Sequence, residues 1–218
     1  MAIEKGQEVD ADVLIATDPD GDRLGIAVKT AEGHYEVLSG NQIAALMVEY
    51  IFKAHTTKET LPQNSVMLKS IVSSDLPSVI ANKYGVETVN VLTGFKFIAE
   101  KVKQYEADHS KTFMYGFEES YGYLIQPFVR DKDAIQALVM VAEMTAYYKE
   151  QGYSLFDAIH ELYHEHGHFV EKTISVKMEG MEGTEKIKEI MSGLRTNVPG
   201  RFGDIQVCYG GRLQSPDT

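Results

Sequence analysis

Cysteine is almost missing from this 218-residue chain: Cys208 stands alone, which excludes an intrachain disulfide framework and any cysteine-rich zinc module. Positive charge is also short. Lys and Arg number 21 against 32 Asp and Glu, a net charge of -11, so neither a nucleic-acid groove nor an anionic membrane surface is expected as the main partner. An anionic substrate would need basic residues concentrated locally against that field. Long apolar runs are absent as well, because the most apolar stretch, Ala134 to Tyr148, is interrupted by Gln136 and Glu143. The opening Met1-Ala2-Ile3-Glu4-Lys5-Gly6 lacks the basic-then-apolar pattern of a secretory leader, so the cytoplasm is the expected location. There is no internal repeat and no low-complexity segment. What is there, 44% hydrophobic and 24% charged residues, suits a soluble globular protein with material for one large domain or two small ones.

The period of the apolar pattern changes along the chain. Val13 to Thr17 and Leu24 to Val28 read as strands on either side of an acidic turn, with a third short strand near Tyr35 to Leu38. From Asn41 to about His55, apolar Ile43, Leu46, Met47, Tyr50 and Ile51 recur at helical spacing, and Ser39 or Asn41 can cap the start. Strand and helix then alternate: strands over 66–72, 86–92 and 112–115, helices over 76–84 and 95–105. Two more helices follow over 134–150 and 154–166. Parallel strands need a crossover that such helices supply, so the predicted fold is α/β: a layered α/β/α central domain with a mostly parallel, mixed sheet. The tail reads as a strand over 169–177 and a helix over 184–194, with no convincing element beyond Pro199. Residues 1–38 carry strands without the helices to complete their sheet and are expected to end a domain whose body lies elsewhere. Residues 39–167 are expected to form a complete unit, and 168–218 a linker and the start of another domain.

Asp18-Pro19-Asp20-Gly21-Asp22-Arg23 places carboxylates at alternate positions directly after a buried strand. Carboxylates 4 Å apart repel by about 4 kcal/mol per pair at an effective dielectric near 20, a cost that a cation removes. Oxygen ligands on a tight loop favour a hard ion such as Mg²⁺. A solvated polar turn is the plain alternative. An EF-hand loop does not fit, since Gly21 is fourth rather than sixth and Lys29 stands at the twelfth position. Phosphatases of the haloacid dehalogenase type also place Asp-x-Asp after a strand, but Asp22 stands where that family usually has Thr or Val.

A second constellation is Gly116-Phe117-Glu118-Glu119-Ser120-Tyr121-Gly122-Tyr123. Glu118 and Ser120 lie two apart, so in an extended loop they can face one side and present an acceptor and a hydroxyl to vicinal sugar hydroxyls. An acidic surface turn is equally compatible with these residues. Thr93-Gly94-Phe95-Lys96 opens a helix after a strand, where backbone N–H groups favour an anion. Arg130-Asp131-Lys132-Asp133 supplies two cations ahead of the next helix, with a solvated cap as the alternative.

Together these motifs resemble the α-D-phosphohexomutase family, in its bacterial phosphoglucomutase/phosphomannomutase branch, over nearly the whole chain. Residues 18–23 match the family's metal loop, 93–96 its third-domain specificity loop and 116–122 its sugar-binding loop, in the family's order. The resemblance implies a four-domain enzyme that moves phosphate between O1 and O6 of a hexose through an active-site phosphoserine and a bisphosphorylated intermediate, glucose 1,6-bisphosphate for a glucose substrate. By motif match, Asp18, Asp20 and Asp22 would hold Mg²⁺ with a phosphoserine oxygen, and catalytic Arg23 would sit beside the transferring phosphoryl group. Glu118 and Ser120 would grip the sugar hydroxyls. Thr93 and Gly94 belong to the same substrate-binding set, and Lys96, Arg130 and Lys132 are candidates for the non-transferring phosphate. Two family motifs are missing: there is no Ser-His-Asn phosphoserine segment and no Arg-x-Ser-Gly-Thr phosphate loop, of which Gly183-Thr184-Glu185 is only a short echo. The chain is therefore expected to cover the end of domain two, domain three and the start of domain four, with the missing domains and a hexose phosphate as partners, and to be inactive alone. A dehalogenase-type sugar phosphatase and a sugar-phosphate-binding module without chemistry are the remaining alternatives.

His160-Glu161-Leu162-Tyr163-His164 also matches the His-Glu-x-x-His pattern of zinc peptidases. Ser154 and Asp157 form a capping-box-like start, however, and Leu155, Ile159, Leu162 and Tyr163 make the buried stripe. His160 and His164 then fall at the edge of that stripe and are expected to be structural.

Overall fold

The protein is described by a computed structural model covering residues 2–171, 177–197 and 199–206. It divides into two compact units, Met1–Val170 and Glu171–Thr218.

In the first unit, helix α1 (Ala2–Val9) precedes an antiparallel sheet of β1 (Val13–Thr17), β2 (Leu24–Lys29) and β3 (Tyr35–Val37) in the order β1-β2-β3. The register runs from Val13 opposite Val28 to Thr17 opposite Leu24, so the acidic turn closes a hairpin. Leu24, Ile26 and Val28 of β2 alternate into the core.

Helix α2 (Gly40–Thr57) follows. Ser39 caps it through a full capping box with Gln42, in which each side chain accepts from the other residue's backbone N–H. Asn41 instead accepts from the Ser74 N–H at 3.1 Å. Ile43 to Phe52 are buried throughout, so α2 is an interior helix whose stability comes from packing on all sides. Next come β4 (Ser65–Ser70), α3 (Leu76–Lys83), β5 (Glu87–Val91), α4 (Phe95–Asp108), β6 (Thr112–Glu118) and β7 (Gly122–Leu124). They form a sheet of order β5-β4-β6-β7, in which β5, β4 and β6 run parallel and β7 returns antiparallel to β6. Every residue of β4 is buried, as expected for a central parallel strand covered on both faces. Val66 and Leu68 pack toward α4 with Phe95, Ile98 and Val102, while Met67 packs on the other face in the cluster that holds α2, α3, α5 (Ala134–Glu150) and α6 (Leu155–His166). The layered α/β/α architecture with a mixed, mostly parallel sheet is thus observed.

The second unit contains α7 (Gly180–Thr196), which buries none of its residues, and the two-residue strands β8 (Arg201–Phe202) and β9 (Ile205–Gln206).

The structure departs from the sequence expectations in five places. Helix α1 and strand β7 were not foreseen. The sixth strand runs on to Glu118, so residues 118–122 form a tight hairpin turn rather than an extended loop. The strand expected over 169–177 is not seen at 169–171 or 177, and 172–176 lie outside the described residues. A short hairpin stands beyond Pro199 where no element was expected.

Candidate functional site

Two turns meet at the carboxyl-terminal edge of the parallel strands, where open α/β sheets commonly bind ligands. One is the β1–β2 turn with the aspartates. The other is the β6–β7 turn, in which Tyr121 takes the left-handed conformation at φ 69°. They are stitched by backbone: Arg23 pairs with Gly122 in an antiparallel bridge, and the Leu24 N–H donates to the Tyr121 carbonyl at 3.1 Å. The Ala134 N–H, at the start of α5, donates to the Gly21 carbonyl at 3.3 Å and completes the seam. The close fit leaves little room for a side chain at two positions. A Cβ on Gly40 would lie 2.1 Å from the Glu119 carbonyl oxygen, and one on Gly122 would lie 2.8 Å from Lys132 Cδ.

Asp18, Asp20 and Asp22 bring one carboxylate oxygen each within 4.8 Å of one another, and no other such group of metal-ligating side chains exists among the described residues. Asp18 Oδ1 accepts from the backbone N–H groups of Asp22 at 3.2 Å and Arg23 at 3.1 Å. Partial desolvation pushes the Asp18 carboxyl up, but the Arg23 N–H together with Asp20 and Asp22 outweighs it and holds the group below the usual carboxylate range. Asp22 Oδ1 is buried and has no hydrogen-bond partner. An anionic oxygen without a hydrogen bond, 3.9 Å from Arg23 Nε and beside two further carboxylates, belongs to a donor set that a hard divalent cation takes, so the residues present fit Mg²⁺.

Lys132 reaches this group. Its Nζ lies 2.7 Å from Asp22 Oδ2 and 3.2 Å from Asp131 Oδ1, with the side chain 13% exposed. Desolvation lowers its affinity for a proton, but the two carboxylates more than compensate and raise its pKa. The sequence reading grouped Lys132 with Arg130 and Lys96, whereas the structure separates the three. Arg130 forks onto Glu106 of α4 with both nitrogens, one at 2.9 Å. Lys96 is exposed and lies 4.9 Å over the Phe97 ring.

Glu118 is 5% exposed, and its Oε1 accepts from the Gly94 N–H at 2.8 Å, which joins the 93–96 turn to β6. Thr93 is exposed beside it. Ser120 shares a cavity of about 810 Å³ with Asp18, Arg23 and Tyr121. Glu118 and Ser120 therefore do not face one side as an extended loop would have them; the tight turn sends one to the Gly94 amide and the other toward the aspartates.

Sequence reasoning missed the support behind this turn. Glu119 Oε2 accepts from the hydroxyls of Ser70 at 2.8 Å and Ser73 at 3.3 Å, both on the segment that leaves β4. Lys69, 1% exposed, donates to the Ser73 carbonyl at 2.9 Å and pairs with Asp75 at 3.1 Å, fixing the same segment. A lysine inside the otherwise apolar Ser65-Val66-Met67-Leu68-Lys69 was the available signal, because a buried ammonium must be matched.

The histidine motif on α6 does not make a metal centre among the described residues. His160 packs edge-on against Phe156 with centroids 4.5 Å apart, and Tyr163, which accepts from Gln42, stacks on His168 at 5.3 Å.

Comparison with known proteins agrees with this geometry. Residues 39–166 match the model of the phosphoglucomutase/phosphomannomutase α/β/α domain III. Over 207 residues, or 95% of the chain, the sequence is 41% identical to a phosphoglucomutase of Staphylococcus aureus and 37% identical to one of Staphylococcus haemolyticus. The chain spans 36% and 37% of those relatives' lengths. Among solved structures, a phosphoglucomutase/phosphomannomutase family protein from Burkholderia thailandensis superposes with a TM-score of 0.56 at 16% identity, covering 73% of this chain and 31% of that one. Parafusin from Paramecium gives 0.55 at 18% identity, covering 72% and 25%. These distant structures share the fold.

Proposed function

The chain belongs to the phosphoglucomutase/phosphomannomutase family, and on that premise we propose that it is part of a Mg²⁺-dependent phosphohexomutase interconverting hexose 1-phosphate and hexose 6-phosphate, with glucose phosphate the expected substrate. In this reading residues 1–38 close one domain, 39–167 form the sugar-binding domain and 168–218 lead into the next. The observation that carries the proposal is the seam between the two turns. The Arg23–Gly122 bridge and the Lys132–Asp22 pair make the aspartate cluster and the Glu118–Ser120 turn one rigid constellation rather than two surface loops.

Asp18, Asp20 and Asp22 would hold Mg²⁺, which when bound neutralises charge developing on a transferring phosphoryl group. Arg23, 47% exposed at its side chain and paired with Asp22 only across 3.9 Å, borders the same cavity as Ser120 and can swing its guanidinium onto an entering phosphate. Ser120 would hydrogen-bond a sugar hydroxyl directly. Glu118 keeps a second carboxylate oxygen for the sugar while Oε1 holds Gly94, so the helix N-terminus at 93–96 is oriented by the residue that grips the substrate. Lys132 is better placed as the counter-charge of the aspartate cluster than as a ligand of the distant phosphate. That second role then falls to Lys96, and to Arg130 once it leaves Glu106.

The test is complementation. The purified chain should not convert glucose 1-phosphate above background, and conversion should appear when the remaining domains of a phosphoglucomutase are supplied, followed by phosphorus NMR. Turnover by the chain alone contradicts the division of the site. Release of inorganic phosphate by the chain alone, lost on Asp18→Asn, would replace the mutase reading with a phosphatase.

A further inference from the structure

Glu118 and Ser120, the two turn residues read as sugar ligands, flank a residue to which no role in binding has been given. Glu119 is half-buried, and its Oε2 accepts from the Ser70 hydroxyl at 2.8 Å and lies 3.3 Å from that of Ser73. The two hydroxyls are themselves 2.7 Å apart, and both serines are buried. Two hydroxyls have two protons to place. One goes into the contact between the serines, and the other needs an acceptor from outside the pair, which Glu119 supplies. Without that acceptor a hydroxyl hydrogen is left unmatched in a place where water does not replace it.

The segment that holds Glu119 is itself fixed from several directions. Lys69 donates to the Ser73 carbonyl at 2.9 Å, the Ser74 N–H donates to Asn41 Oδ1 at 3.1 Å, and the Ile71 N–H donates to the Val91 carbonyl at 2.9 Å. The backbone of Glu119 is confined as well, since its carbonyl fills the space that a Cβ on Gly40 would take. The next residue back, Glu118, accepts from the Gly94 N–H at 2.8 Å. Two consecutive carboxylates therefore tie the β6–β7 turn to both neighbouring loops, Glu119 to the one after β4 and Glu118 to the one after β5. The turn has need of such an anchor, because Tyr121 at φ 69° holds a conformation that costs a residue with a Cβ.

We propose that Glu119 is a positioning residue: its anchor on Ser70 and Ser73 sets where Glu118 and Ser120 present their oxygens. The consequence for sugar binding rests on the mutase reading, whereas the positioning does not, and the test separates the two. Amide hydrogen exchange followed by NMR on the free chain reads the Gly94 N–H, which reports the Glu118 carboxylate without any ligand. Glu118→Ala sets the full loss of protection there. Glu119→Ala is expected to speed Gly94 exchange about tenfold while the amides of β4 and α2 keep their protection. Ser70→Ala should act alike, and the double variant should be no worse than either single one. Glu119→Gln keeps a carbonyl acceptor and should stay within about threefold of the parent. Affinity for glucose 1,6-bisphosphate, measured by calorimetry, should fall in step, about tenfold in Glu119→Ala. Unchanged Gly94 exchange in Glu119→Ala would overturn the assignment, as would an equal loss across β4 and α2, or Glu119→Gln as harmful as Glu119→Ala. Faster Gly94 exchange in Glu119→Ala, from a parent that binds no bisphosphate, would uphold the positioning and count against the mutase reading alone.

Discussion

Two short stretches of this chain carry the spacing of a metal site, Asp18 to Asp22 and His160 to His164, and among the described residues only the first brings its side chains together. The aspartates sit on a turn that closes an antiparallel hairpin, so alternate residues converge; backbone N–H groups hold Asp18, and Asp22 keeps a buried oxygen that accepts no hydrogen bond. The histidines sit on an amphipathic helix whose buried stripe includes Leu155, Ile159 and Leu162, and the His160 ring packs edge-on against Phe156 and Tyr163. A motif becomes a site when the supporting element converges its donors and leaves one of them unsatisfied. Spacing alone does neither.

Mutations sharpen the contrast, beginning with the largest effect. Asp22→Asn should weaken Mg²⁺ binding about a hundredfold, because it removes a charged ligand from a loop with only two others; calorimetry measures this directly. Affinity within a factor of two of the parent would mean the aspartates do not act together. Gly40→Ala forces a Cβ against the Glu119 carbonyl and should cost about 2 to 3 kcal/mol, read as a lower denaturation midpoint at unchanged slope. A neutral result would show that the seam between α2 and the β6–β7 turn is loose. Lys132→Met removes a positive charge from Asp22 and should tighten Mg²⁺ roughly fivefold, the sign expected if the ammonium and the metal compete for that carboxylate. Weaker binding would instead make Lys132 a support of the ligand geometry.

Smaller effects come from the histidine helix. The Ser154 side chain and N–H hold the folded Asp157 carboxyl below its ordinary 3.8, so its stabilisation is complete above that value and is lost as pH falls through the folded pKa. Asp157→Asn should therefore flatten the acid limb of the stability curve below about pH 4, by about 1 kcal/mol or less. His164→Ala should change neither stability nor metal content, and dialysed protein should retain no zinc. Stoichiometric zinc lost in that variant would reverse the contrast altogether.

The layered fold was legible because its signals are local: the buried run of β4, the helical spacing of α2 and the glycines that end the helices. Helix α1 was not, since Ala2 to Val9 spans only eight residues and carries Gly6, a poor helix former, in its middle. At the site, the three turns could be read as motifs, but not the contacts among them. Lys132 and Arg130 are two residues apart, and nothing in that spacing says that one reaches Asp22 and the other Glu106. The same holds for Glu119, whose link to Ser70 and Ser73 depends on two strands lying side by side. Contacts made across the sheet are set by topology, and topology is the part of the fold that local pattern determines least.

The central claim is that the aspartate turn and the Glu118–Ser120 turn form one site. Linkage tests it most directly: Mg²⁺ affinity is measured by calorimetry with and without glucose 1,6-bisphosphate, and bisphosphate affinity with and without Mg²⁺. The account predicts that each ligand tightens the other by the same factor and that Glu118→Ala removes the coupling. Mg²⁺ affinity that is identical in the presence and absence of the bisphosphate would contradict it.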